Sequence, residues 1–150
     1  MKFDLSKTTR HTRTNSFGWM FQRIAGQFMV EMKKQLAPFD LTIEQFAALM
    51  TVMEHDGVTQ RQIGEHISMP AYAISRALDH LEKIGFVERV AHPTSRRAVH
   101  VVVTPRAKDI APQIFGVVDR VNDELIGILD DGQTDTLRLL LQSLLRAPKP

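Results

Sequence analysis

The stretch from Thr59 to Thr104 constrains the fold more than any other part of the chain. Thr59-Gln60-Arg61-Gln62 has the form of a capping box, in which a Thr hydroxyl and a Gln side chain each satisfy a backbone N–H at a helix start. Val58 and Ile63 flank it as a hydrophobic staple, and Ile63 and Ile67 fall one turn apart on the helix that follows. Ser68-Met69-Pro70 breaks the chain. From Ala71 to Ile84 the helical period returns, with Ile74, Leu78 and Leu81 on one face. Gly85 stands where a left-handed residue ends a helix without steric penalty. Residues 86–90 and 98–103 then read as strands around His92-Pro93-Thr94-Ser95-Arg96-Arg97. Two short helices across a tight break, then a hairpin tipped with arginines, predict a winged helix-turn-helix. Such a unit places its second helix in the DNA major groove.

The flanks are helical. Phe17, Phe21, Ile24, Phe28 and Met32 recur at spacings of three and four, which predicts a long amphipathic helix over 16–36 that Pro38 stops. The fifteen residues before it read as a flexible or partly helical basic arm. Leu41 to Phe46 repeats the capping box, Thr42 with Gln45, and Phe46, Leu49, Met50 and Met53 form the apolar face of its helix until Asp56-Gly57. Thr104-Pro105 is an N-cap followed by Pro at the first helical position. Ile114, Val118, Val121, Leu125 and Ile128 continue that helix as a near-heptad stripe, with Pro112 placed to kink or delay it. Asp130 is placed to cap a last helix containing Leu137, Leu140, Leu141 and Leu144.

The fold class expected is therefore mainly α (α+β), one domain over 1–150. Residues 16–37 and 105–146 supply dimerisation helices, and 41–104 a winged-helix DNA-binding region. Long terminal stripes that a small winged unit cannot cover favour a homodimer, with Phe17, Phe21, Ile24, Phe28, Val118, Val121, Leu125 and Ile128 at its seam.

A net charge of +2 says little about partners, but its distribution says more. Residues 1–35 hold seven basic and two acidic side chains, and 36–58 hold none and four. Residues 59–106 hold seven and four, and 107–150 hold five and seven. Basic segments alternating with acidic ones suit a protein with one nucleic-acid-facing side. The absence of Cys excludes disulfides and thiolate metal sites. The six histidines form no i, i+4 pair, so no metal and no cofactor is expected. Asp123-Glu124 and Asp130-Asp131 read as surface and helix-end charge, and no nucleophile or phosphate-loop signature occurs, which argues against an enzyme. No apolar run is long enough to span a bilayer and the first residues lack an apolar centre, so a cytoplasmic protein without membrane contact is expected.

From Ser75 to Arg89 the chain reads Ser-Arg-Ala-Leu-Asp-His-Leu-Glu-Lys-Ile-Gly-Phe-Val-Glu-Arg, followed by the wing ending Arg96-Arg97 and by Thr104-Pro105. In that order these elements resemble the multiple-antibiotic-resistance regulator (MarR) family over nearly the whole chain. The resemblance implies a homodimeric, ligand-responsive repressor that binds a palindromic operator in double-stranded DNA. It also implies a small aromatic or phenolic effector held between dimer helices and winged region. The chain departs from the pattern where His92 and Ser95 stand in place of two wing aspartates, the second of which supports the following arginine in the family.

Tyr72, Ala73, Ser75, Arg76, His80 and Lys83 face outward on the 71–84 helix and are the expected groove contacts, with Arg76 suited to bidentate bonding of guanine. Asp79 repels phosphate, so its expected role is to hold Arg76 or Lys83. Arg96 and Arg97 are the expected minor-groove contacts, and Arg61 and Ser68 weaker phosphate contacts. Trp19, Met20, Phe21, Phe46, Met50 and Met53 are candidates to line an effector cleft, although such residues at helical spacing more often form plain core. Two other readings stand beside these: a winged-helix module that binds protein, and a small-molecule binder without sequence-specific DNA binding.

Overall fold

The computed structural model of the chain describes residues 4–94 and 99–146. Its elements are α1 (Leu5–Asn15), α2 (Phe17–Leu36), α3 (Ile43–Glu54), β1 (Val58–Thr59), α4 (Gln60–Ile67), α5 (Ala71–Lys83), β2 (Val87–Ala91), β3 (Val99–Val103), α6 (Pro105–Ile126) and α7 (Asp131–Arg146). This is the mainly helical winged helix-turn-helix plan, with one strand more than the hairpin predicted. Val58 and Thr59 pair with Val101 and His100, so the antiparallel sheet runs β1-β3-β2. The hairpin itself pairs Val87 with Val103 and Ala91 with Val99.

The chain divides into two compact units, Met29–Val118 and Met1–Phe28 with Asp119–Pro150. Three cap signals fix helix starts within the first unit. The capping boxes at Thr42 and Thr59 are complete, each Thr hydroxyl accepting from the N3 backbone and each Gln returning the bond. Thr104 accepts from the Ala107 N–H and donates its own hydroxyl to the Gly85 carbonyl at 2.6 Å. One side chain thus starts α6 and anchors the turn that ends α5. The core beneath is Leu49 and Val52 of α3, Ile63 of α4, Ile74, Leu78 and Leu81 of α5, and Val87 and Val101 of the sheet, all within 1% of full burial.

The helix-turn-helix depends on a small residue. At Gly64 an added Cβ would sit 2.9 Å from the Met69 carbonyl oxygen and 3.5 Å from Ile74. The Gly64 carbonyl also accepts from Ser68, the left-handed cap of α4, and from Met69. Only a residue without a side chain lets α4 and the start of α5 approach this closely.

In the other unit α1 is N-capped by Asp4, whose carboxylate accepts the Lys7 N–H, and Ser16 separates it from α2. The expected arm is therefore an ordered helix over most of its length. Asp130 caps α7 and Gln133 returns the bond, a third reciprocal capping box of which the sequence pattern picks out only the aspartate. Pro112 sits inside a continuous α6. No helix among the described residues is long and apolar enough to cross a membrane.

Candidate nucleic-acid interface

Helix α5 buries Ile74, Ala77, Leu78 and Leu81, and its remaining positions form an outer face within the Met29–Val118 unit. Tyr72 is 70% exposed, Arg76 and Lys83 are exposed, and Ala73 and Ser75 are half-buried beside them. Among the described residues Arg76 has no ion pair, so its guanidinium is available to an outside acceptor. Ser68 lies exposed at the turn as its left-handed residue, and the exposed Arg61 bonds Glu65 one turn along α4 at 2.8 Å. A concavity of about 830 Å³ runs beside them, lined by Gln60, Gly64, Met69 and Ala71 among others.

Two expectations about α5 change. Asp79 holds neither Arg76 nor Lys83: its carboxylate pairs with Arg89 of β2 at 2.8 Å. Arg89 also bonds Glu82 at 2.9 Å and the Ser75 carbonyl at 3.2 Å, and its own N–H donates to Glu82. One guanidinium therefore ties three points along about two turns of α5 to the first strand of the wing. His80, in turn, folds back instead of standing free. Its Nε2 lies 2.7 Å from the carbonyl oxygen of Asp40, a residue held in the left-handed region at φ 56°. That contact fastens the last turn of α5 to the loop before α3.

At the wing His92 does an acceptor's work. Its Nδ1 accepts the Thr94 N–H at 3.1 Å, and its ring meets His100 edge-on at 4.1 Å between centroids. An imidazole nitrogen here closes the turn that a carboxylate oxygen closes in an Asx turn. Ser95, Arg96 and Arg97 lie outside the described residues.

The effector candidates divide between the units: Trp19, Met20 and Phe21 are exposed in one, and Phe46, Met50 and Met53 half-buried in the other. None of the six lines the cavity of about 800 Å³ that lies wholly in the Met29–Val118 unit, between Phe39, Lys83, Phe86, Arg106 and Gln113. Of the expected dimer residues, Phe17, Ile24 and Ile128 are exposed, at 75%, 48% and 91%, and Phe21 is exposed with them. Val121 is a correction: at 1% exposed it already packs inside its own chain and offers no surface to a partner. Phe28, Val118 and Leu125 are half-buried.

Comparison with known proteins agrees with this architecture. The MarR family model matches residues 39–98, from the loop before α3 to the wing. The multiple antibiotic resistance protein MarR of Escherichia coli K12 is 31% identical over 124 residues, 78% of this chain and 86% of that protein.

This chain belongs to the MarR family.

Its MarR relative from Salmonella typhimurium is 30% identical over 79% of this chain and 87% of its own length. A crystal structure of a mutant E. coli MarR complexed with operator DNA superposes with a TM-score of 0.77 at 26% identity, covering 95% of this chain and 99% of that one. Arg89 is the residue that sequence reasoning leaves without a role in this MarR-family chain, although a signal for it exists. It follows the buried Val87 by two along a strand, which puts both on one face.

Proposed function

We propose that this chain is a DNA-binding transcriptional regulator, a homodimeric repressor that sets α5 in the major groove of a palindromic operator. The observation that carries this reading is the outer face of α5. Arg76 stands there without an ion pair beside exposed Tyr72 and half-buried Ser75, on a helix whose neighbouring Asp79 and His80 are held by Arg89 and the Asp40 loop. A free cationic donor on a held helix is what base reading needs, because the entropy of placing the donor is reduced before binding. The polar, cationic face does not suit an apolar protein partner. Relatives named as multiple antibiotic resistance proteins, and a MarR bound to operator DNA, support the same reading.

Arg96 and Arg97 are the wing cations in this reading, directed to a narrow minor groove. Exposed Phe17, Ile24, Leu140 and Leu144 are the surface for a second copy, since apolar helix faces of this extent are covered in stable proteins. A small aromatic or phenolic effector would relieve repression, and the protein would work in the cytoplasm. Selection from a random duplex pool tests the function. It should return an inverted repeat with half-site centres about 10 base pairs apart, one helical turn. A pool that shows no enriched sequence after repeated rounds contradicts the reading.

A further inference from the structure

Between Asp4 and Glu31 the chain has no acidic side chain, yet it carries Lys7, Arg10, Arg13 and Arg23. Three of these cations lie on α1, an exposed helix with no buried residue. At 100° per residue Lys7, Arg10, Arg13 and His11 share one broad face, while Leu5, Thr8, Thr9 and Thr12 share the other. The structure orients these faces. Thr8, Thr9 and Thr12 line a cleft of about 340 Å³ with Trp19 and Ser16, so the threonine side is turned toward the start of α2. Arg13 lies at the border, its guanidinium 5.2 Å from the Trp19 ring centroid, which steadies the group while leaving N–H edges free.

Two of the threonine hydroxyls are already occupied. Thr12 donates to the Thr8 carbonyl at 3.0 Å and Thr14 to the Arg10 carbonyl at 2.6 Å. What α1 offers outward is charge, and among the described residues none of Lys7, Arg10 and Arg13 is in an ion pair. An interfacial membrane helix needs a bulky apolar face opposite its cations, and here that face is threonine with a single leucine. A polyanion in solution fits better. DNA is the polyanion that the regulator reading above supplies.

We propose that α1 is an auxiliary contact to the DNA backbone, in which Lys7, Arg10 and Arg13 neutralise phosphates flanking the operator. This rests on the regulator reading above and adds a second, sequence-independent grip to it.

The test uses the full chain and two duplexes: the selected operator alone, and the same operator with about 10 extra base pairs on each side, one further turn. Affinity is measured by fluorescence anisotropy across a potassium chloride series. Wild type should show a steeper dependence on the long duplex. The triple variant Lys7→Gln, Arg10→Gln, Arg13→Gln should flatten that slope by about 0.9 for each phosphate no longer neutralised, and leave the short duplex unchanged. Arg10→Lys with Arg13→Lys should retain the slope, because phosphate neutralisation counts charge. Circular dichroism of each variant reports whether helix content is kept.

Equal slopes for wild type and the triple variant on the long duplex would overturn the proposal alone. So would equal weakening on both duplexes, which would put α1 within the operator. Weaker binding of the triple variant to phosphatidylglycerol vesicles, with DNA slopes unmoved, would reassign the helix to a membrane surface. Wild type binding neither duplex would overturn the regulator reading and this one with it.

Discussion

Arg89 on β2 and Asp79 on α5 lie 2.8 Å apart and join the wing to the helix assigned to the major groove. They can meet because Gly85 reverses the chain between them at φ 78°, a conformation a side chain rarely adopts. Arg89 is only 22% exposed, whereas Asp79 and Glu82 are 63% and 41% exposed. The network is therefore held from the arginine side.

Arg89→Ala should remove the fork and leave two carboxylates facing the same strand. All three partners are released at once but two are solvated, so the expected destabilisation is about 1–2 kcal/mol. Urea unfolding measures it. Arg89→Lys should recover only part, since an ammonium cannot reproduce the bidentate geometry. Operator affinity should fall in both variants by more than the change in stability explains, because the wing is no longer registered against α5. Wild-type stability in Arg89→Ala would show that the network adds nothing to folding.

Gly64→Ala places a methyl group 2.9 Å from the Met69 carbonyl oxygen, a backbone atom that cannot rotate away. The expected cost is about 1–3 kcal/mol, the range for forcing an extra carbon into a packed site. Thermal unfolding reads it directly. A control at Gly26, where an added Cβ has no neighbour within 4 Å, should leave stability unchanged or raised. Similar behaviour of the two variants would mean that α4 and α5 are not tightly apposed.

Leu140 and Leu144 on α7 are 59% and 62% exposed in the single chain. Sedimentation at micromolar concentration should give a dimer for wild type. Leu140→Asp with Leu144→Asp should give a monomer, as an unpaired charge is not tolerated in an apolar seam. A wild-type monomer would contradict the dimer, and a dimeric double variant would move the seam elsewhere.

Much of this fold is legible in the chain because its signals are local. The capping boxes at Thr42 and Thr59 need only four residues each, and both form as read. The apolar face of α5 is set by periodicity and buries as expected. Strand β1 is invisible in the sequence because Val58 and Thr59 are too few to show alternation. They become a strand only by pairing with Val101 and His100, some forty residues on. Helix α1 has threonines where an apolar stripe would announce it.

The candidate site divides the same way. The exposure of Arg76 is legible from its outward position alone, because nothing else among the described residues pairs with it. His80 and Asp79 share that outward pattern, but the loop at Asp40 and the strand at Arg89 approach them through tertiary packing. Periodicity reports which face a residue occupies and says nothing of what arrives from elsewhere in the chain.

Whether α5 reads DNA with Arg76 is measured most directly by the affinity of Arg76→Ala for the selected operator and for an unrelated duplex. Both are taken at one salt concentration, on protein shown to be folded. Removing one base-directed pair is expected to weaken operator binding by about 1–3 kcal/mol, roughly 5- to 150-fold. Binding to the unrelated duplex should change far less, so the specificity ratio should fall. Unaltered affinity for the operator, or equal weakening on both duplexes, would contradict the assignment of Arg76 as a reader of sequence.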